Sequence, residues 1–181
     1  DSSVGGKVGV NLPAAKNMVG AFHQPQMVWI DPSLLGSLPP REMVSGAAEL
    51  LKHAIIYDSD YFKVCEKLME QIFDHSCDEM ESLIAQSCAI KAAVVKEDEF
   101  ESGIRAHLNF GHTIGHAIEA HFEYKDVKHG EAVLWGMFIE ARISMLHGLL
   151  SEDEFMQLES FLSRVPLKLA LGGIKSDKLY D

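Results

Sequence analysis

His112 and His116, four residues apart in "LNFGHTIGHAIE" (residues 108–119), are the side chains of this sequence best placed to do chemistry together. Positions i and i+4 of a helix share a face with Cβ atoms about 5–6 Å apart, so the two imidazoles can converge on one point. Helical H-x-x-x-H grips metal ions, but without an intervening Glu it lacks the built-in base of the zincin motif. Spacing alone leaves the pair open between metal ligation and two hydrogen-bonded histidines inside a bundle. Glu101, Arg105, Asn109, His112 and His116 recur every three or four residues and, on one helix, form a continuous polar stripe. With Leu108, Phe110, Ile114 and Ala117 on the other sides, this stripe suits a buried functional face better than a solvated one, which favours Lys and Glu.

A catalytic metal site takes three protein ligands and keeps one position open for water or substrate. His129 in "KHGEAV" and Glu49 in "SGAAELLKHA" are the further candidates, the latter a carboxylate in an otherwise apolar helix start beside small residues. Lys52 lies three residues beyond Glu49 on the same face, and a surface ion pair worth a few tenths of a kcal/mol is an equal reading of the two. His23, His53, His75, His107, His121 and His147 are read as structural side chains. Four cations stand in apolar or glycine-rich surroundings: Lys7 after Gly-Gly, Lys16 before Asn17, Lys91 within "SCAIKAAVV", and Arg105. Amides of a Gly-Gly turn beside a lysine suit a phosphate, although "SSVGGK" lacks the spacing of a Walker loop. Lys91 either snorkels to water or reaches into a cleft.

The elements that must position these groups are mostly helices. The glycine-rich opening reads as loops around a short extended piece near residues 7–10, and "QMVWID" (26–31) reads as a strand. Pro39 and Pro40 open a helix over about 41–56, where Met43, Ala47, Leu50, Leu51 and Ala54 follow helical spacing. Ser59 is the expected N-cap of a second helix, with Phe62, Cys65, Leu68, Met69, Ile72 and Phe73 on one face. Further helices are expected over about 76–97, 103–122 and 130–148, the last apolar almost all round and therefore buried. Ser151 and Glu154 form a capping box for a final helix that ends before Pro166. The fold class is mainly α: a helical bundle domain with a short irregular, slightly β N-terminal segment and no alternating βαβ unit.

A length of 181 residues fits one domain on a prior of about 150 residues each. The net charge of −11 argues against a nucleic-acid partner, which needs a basic footprint. Cys65, Cys77 and Cys88 are odd in number and show no C-x-x-C spacing, so neither disulfides nor a thiolate zinc site is expected, and a reducing cytoplasm fits best. No apolar run reaches the roughly 18–20 residues that cross a bilayer, so no membrane partner is expected and the chain reads as soluble. It starts on a polar turn without Met, which reads as a piece of a longer protein.

In order along the chain, "DSSVGGKVGVN", "KNMVGAFHQP", "LPPREMVSGAAELLKHAII", "ESGIRAHLNFGHTIGHAIE" and "HGEAVLWGM" closely resemble the C-terminal part of the 3-dehydroquinate synthases, over about residues 1–148. The resemblance implies conversion of a sugar phosphate, 3-deoxy-D-arabino-heptulosonate 7-phosphate, into 3-dehydroquinate and phosphate in the shikimate pathway. It also implies bound NAD, a divalent metal (zinc or cobalt), and an N-terminal Rossmann-like NAD domain followed by a helical metal-carrying domain. On that reading residues 1–181 are the second domain, the NAD domain is absent from the chain, and the full-length enzyme is a homodimer. Matched motif by motif, Glu49, His112 and His129 are the implied metal ligands, and Glu101 and His116 the implied proton-handling residues. Asp1, Lys7, Asn17, Lys52, Lys91, Arg105 and Asn109 match substrate contacts, while Lys16, Leu34, Leu35, Gly36 and Ser37 match places that touch NAD. Val8 and His107 depart from the residues more usual in these motifs, and the chain ends at Asp181, before a lysine-rich segment that supplies a further substrate contact in the family. Without an NAD domain the polypeptide alone is expected to be inactive. The competing readings are another sugar-phosphate cyclase, disfavoured by Asn109 and His116, a metal-dependent polyol dehydrogenase, and a non-catalytic helical module that retains the site. A His-Asp phosphohydrolase is disfavoured because the chain has no His-Asp dipeptide.

Overall fold

A computed structural model of the chain describes residues 2–12 and 15–167, with side chains described outside residues 11–18. The chain opens with an antiparallel hairpin, β1 (Lys7–Leu12) and β2 (Ala15–Phe22), in which Lys7 faces Phe22 and Val10 faces Val19. The extended piece expected at residues 7–10 is therefore half of a pair. The expected strand at 26–31 does not form: the segment lies outside any ladder, with Met27 75% and Trp29 82% exposed. A β-prone run becomes a strand only where a neighbour accepts its hydrogen bonds, and no described strand lies beside this one.

Among the described residues six α-helices follow: α1 (Pro40–Tyr57), α2 (Ser59–Phe73), α3 (Met80–Glu97), α4 (His112–His121), α5 (His129–Leu146) and α6 (Glu152–Ser163). The architecture is mainly α with a small two-stranded sheet, and among the described residues no helix is long and apolar enough to cross a membrane. Asp58, not Ser59, caps α2, because its carboxylate reaches the amides of Asp60 and Tyr61 at 2.9 and 3.0 Å. The capping box expected for α6 forms, with Ser151 Oγ accepting from Glu154 N at 3.2 Å and Glu154 accepting from Ser151 N at 2.9 Å. The third long helix starts later than expected, since Asp74 folds back on Ser76 N at 3.0 Å and His75 takes φ 61°. The apolar stripes of α1, α2, α3, α5 and α6 merge into one core around Leu51, Tyr61, Met69, Leu83, Met137 and Phe161.

The single helix expected over 103–122 is two pieces. A 3-10 turn spans Ile104–Asn109, the chain bends at Gly111 with φ 81°, and α4 begins at His112. The break is stabilised by Glu140 of α5, which accepts from Gly111 N at 2.7 Å and Ile114 N at 3.3 Å and so satisfies amides that open α4.

Close backbone contact sets where α1, α4 and α5 meet. A Cβ on Gly136 of α5 would lie 1.9 Å from Gly111 O, and one on Gly130 would lie 2.3 Å from Ser45 O of α1. Gly130 is next to His129, and Ser45 is one turn before Glu49. The contact that fixes the α1–α5 crossing thus also sets the distance between two of the candidate ligands. Arg41 adds a second clamp: it donates to both carboxylate oxygens of buried Glu131 at 2.8 and 2.6 Å and to Asp126 O at 2.9 Å, fixing the start of α5.

Candidate active site

A cavity of about 640 Å³ opens between α1, α4, the start of α5 and the N-terminal strap. Its walls gather Lys7, Glu49, Lys52, Lys91, Glu101, Arg105, Asn109, His112, His116 and His129, residues that the sequence spreads over more than a hundred positions. The broken helix does not scatter the polar stripe, because the 3-10 turn and α4 both face the cavity.

Glu49 sits at the centre. Its Oε2 accepts from Lys52 Nζ at 2.6 Å, and its Oε1 is buried with no hydrogen-bond partner. That Oε1 lies 3.5 Å from His112 Nε2 and 3.6 Å from His129 Nε2. Bonds of about 2.0–2.2 Å in a tetrahedral zinc shell separate neighbouring ligand atoms by about 3.3–3.6 Å, so the three atoms are spaced as ligands of one ion. The other ring nitrogens are already engaged, since His112 Nδ1 donates to Phe110 O at 3.3 Å and His129 Nδ1 to Glu119 Oε2 at 3.0 Å. Each partner fixes its ring so that Nε2 faces Glu49, the arrangement that holds histidine ligands elsewhere. Glu119 also belongs to a second possible donor group with His116 and His129, but its bond to His129 Nδ1 makes it the support of that ring. His116 is exposed and stands within 5.5 and 5.9 Å, ring centre to ring centre, of His112 and His129.

The charges agree with this spacing. Burial, followed by the Lys52 ammonium, pushes His112 down to about 4, so it stays a neutral donor at physiological pH. The Glu119 carboxylate, then that of Glu49, pushes His129 up to about 9. Burial works against ionisation of Glu49, but His129 and Lys52 outweigh it and hold the carboxyl well below its usual range. A protonated His129 with two carboxylates around it marks a place that calls for positive charge. The spacing, the orphaned oxygen and the oriented rings all fit a divalent cation.

The Glu49–Lys52 pair is not the surface pair that spacing alone allowed, because Lys52 is 2% exposed. Burial pushes both Lys52 and Lys91 down from the ordinary lysine range, opposed by Glu49. Lys7, half exposed, pairs with Glu101, whose other oxygen accepts from Asn109 Nδ2 at 2.8 Å. Glu101 takes φ 61°, held by a turn in which Asp98 accepts from the amides of Ser102, Gly103 and Arg105 at 2.9, 2.7 and 3.1 Å. Arg105 lines the cavity but is 2% exposed, and its guanidinium donates to Gly5 O at 2.7 Å and to Glu99 O. It ties the N-terminal strap to the 3-10 turn.

Asp1 and the side chains of Lys16 and Asn17 lie outside the described residues. Leu34–Ser37 fall on a 3-10 turn, Pro32–Ser37, and Leu35 and Gly36 border a separate hollow of about 130 Å³. His53, read as structural, is buried with Nδ1 2.8 Å from Ser87 Oγ. Sequence reasoning missed Glu119 and Glu140. The signal for Glu119 was its place three residues after His116 and seven after His112, on the same polar stripe of α4.

A family model described as 3-dehydroquinate synthase C-terminal matches residues 46–181, and one described as 3-dehydroquinate synthase N-terminal matches residues 1–45. The boundary between the two matches falls inside α1. The chain is 46% identical over 171 residues to a 3-dehydroquinate synthase of Thermodesulfovibrio yellowstonii, covering 94% of this chain and 48% of that protein. It is 46% identical over 181 residues to one of Alkaliphilus metalliredigens, covering 100% of this chain and 51% of that protein. The crystal structure of a 2-deoxy-scyllo-inosose synthase complexed with carbaglucose-6-phosphate, NAD+ and Co2+ superposes with a TM-score of 0.89 at 30% identity, over 99% of this chain and 50% of that one. The chain spans about half the length of the curated relatives it matches. With matches along its whole length and a fold shared with a sugar-phosphate cyclase, the chain belongs to the 3-dehydroquinate synthase family.

Proposed function

We propose that this chain is the metal- and substrate-binding part of an enzyme that converts 3-deoxy-D-arabino-heptulosonate 7-phosphate into 3-dehydroquinate and phosphate. The observation that carries the reading is the convergence of His112 Nε2 and His129 Nε2 on the unbonded Glu49 Oε1 inside a lysine-lined cavity. Glu49, His112 and His129 hold a divalent ion, zinc or cobalt, whose Lewis acidity when bound acidifies a substrate hydroxyl. NAD, when bound, supplies the hydride acceptor that such a reaction needs. This chain offers it Lys16 and Leu34–Ser37, and residues 1–181 form the metal- and substrate-binding domain.

The remaining residues bind, orient and move protons. Lys7, Lys52 and Lys91 face the cavity and bind the anionic phosphate and carboxylate, whose charge offsets the cost of burying ammonium groups there. Arg105, Asn109, Asp1 and Asn17 complete the substrate contacts, Arg105 chiefly by fixing the strap that carries Lys7. Glu101 accepts from Lys7 and Asn109, which keeps it ionised and able to take a proton. His116, exposed beside the two ligand imidazoles, carries a proton between the substrate and water.

Cobalt titration of the chain, followed by visible absorption, tests the reading. One tight site is expected in the wild type and none after His112→Ala, His129→Ala or Glu49→Ala. Wild-type affinity in all three variants would overturn the metal assignment. The shared fold with a 2-deoxy-scyllo-inosose synthase makes a different sugar-phosphate ring closure the second reading, and a substrate panel on the full-length enzyme separates the two.

A further inference from the structure

Four glycines lie inside helices of the described residues: Gly46 in α1, Gly115 in α4, and Gly130 and Gly136 in α5. Glycine weakens a helix relative to alanine because its backbone loses more freedom on folding, so each position asks for a reason. Three have one in packing. An added Cβ would lie 3.2 Å from Val133 Cα at Gly115, 2.3 Å from Ser45 O at Gly130 and 1.9 Å from Gly111 O at Gly136.

Gly46 has no such neighbour. A Cβ there would meet nothing within 4 Å, and the residue is not among the glycines with positive φ. Neither packing nor backbone conformation accounts for it. What it does is line the large cavity, exposed, one turn before Glu49 on the face formed by Glu42, Ser45, Gly46, Glu49 and Lys52. The helix backbone is bare toward the cavity at this one place, beside the candidate ion.

The charge pattern along α1 says which part of a bound molecule arrives there. Lys7 and Lys91 both act electrostatically on Lys52, so the cations of the cavity gather at that end. Gly46 precedes Lys52 by six residues, about 9 Å along the axis at about 1.5 Å per residue. A molecule whose anionic end lies among the lysines and whose hydroxyls reach Glu49 brings its uncharged ring to Gly46.

We infer that Gly46 is a specificity-determining position, whose missing side chain leaves room for the hydroxyl-bearing ring carbons of a sugar phosphate. The inference rests on the functional reading above and assigns one wall of the same cavity. Gly46→Ala and Gly46→Val in the zinc-loaded chain test it, with 3-deoxy-D-arabino-heptulosonate 7-phosphate as the probe. Gly46→Ala is expected to melt above the wild type, to hold zinc with unchanged affinity in chelator competition, and to bind the sugar phosphate at least about tenfold more weakly by calorimetry. Gly46→Val is expected to weaken sugar-phosphate binding further. Sugar-phosphate affinity equal to wild type in both variants overturns the inference alone, including the case in which only NAD binding suffers. A wild-type zinc-loaded chain that binds zinc but no sugar phosphate overturns the functional reading and this inference with it.

Discussion

Replacing Gly130 by alanine tests how the ligand-bearing helices are held in place. The new Cβ would lie 2.3 Å from Ser45 O and 2.4 Å from Ser45 Cα, against an ordinary contact of 3.4 Å or more. Both atoms are backbone, so no rotamer relieves the clash, and α1 and α5 must separate by about 1 Å. Overpacking of this kind costs about 1–3 kcal/mol. Losing the Gly130 N–H to Ser45 Oγ bond, now 3.0 Å, adds about 1 kcal/mol. The expected loss of about 2–4 kcal/mol lowers the melting temperature by about 4–16 °C for a chain of this size. The separation acts at His129 and one turn from Glu49, where the two ligand atoms are 3.6 Å apart. Ligand distances tolerate only about 0.2 Å, so cobalt affinity should collapse together with stability. Circular dichroism melts with chelator present and cobalt titrations without it measure the two effects separately. A variant that melts within about 2 °C of wild type and binds cobalt equally well would show that this contact does not set the crossing.

Three further outcomes are expected. Glu119→Gln keeps the shape but removes the charge that His129 Nδ1 meets at 3.0 Å, so metal affinity should fall about 10–100-fold with little change in the metal-free melt. Unchanged affinity in chelator competition would remove Glu119 from the site. Burial, then the Lys52 charge, pushes His53 down to about 3, below its unfolded value near 6.5. The unfolded chain therefore binds the extra proton first, and the stability that neutral His53 carries above about pH 6.5 is lost as pH falls toward about 3, by at most about 1.4 kcal/mol per unit. Urea unfolding at pH 7 and pH 5 should show a smaller loss in His53→Gln than in wild type, and equal losses would contradict the assignment. Ser151→Ala removes the oxygen that accepts from Glu154 N at 3.2 Å and should cost about 1 kcal/mol of stability in denaturant titrations, leaving metal binding intact.

The helices were readable because their apolar spacing is regular: Ala47, Leu50, Leu51 and Ala54 of α1 and Cys65, Leu68, Met69 and Ile72 of α2 face the core as their period required, while Val44, Ala48 and Tyr61 join it without having been picked out. His112, His129 and Glu49 were readable as candidates because a polar group in an apolar run is costly to bury unless it binds something. Their distances were not, since the α1–α5 crossing depends on a Gly130–Ser45 contact between residues 85 positions apart. The break at Gly111 was hidden for a similar reason. It is held by Glu140, 2.7 Å away in space but 29 positions away in sequence. "QMVWID" misled because strand propensity describes a side chain's fit to a pleated surface, and whether a neighbouring strand exists is a property of the whole fold. Arg105 shows the same limit from another side: its type suggested an anion contact, while the structure turns its guanidinium to the carbonyls of Gly5 and Glu99.

The cavity walls are unequal in what secures them. Three are helices packed into the apolar clusters, α1 and α5 in the main core and α4 against α5 through Ile118 and Ala132, whereas the fourth is a short run of main chain fastened by the Arg105 guanidinium, the Lys7–Glu101 pair and a 3.0 Å bond from Gln24 to Glu99. Such polar fastenings at the edge release at far lower free energy than packed helices. The cheapest excursion from the native state is then a peeling of this one flap, so amide hydrogens around Gly5 and Gly6 should exchange long before those of α1 or α5.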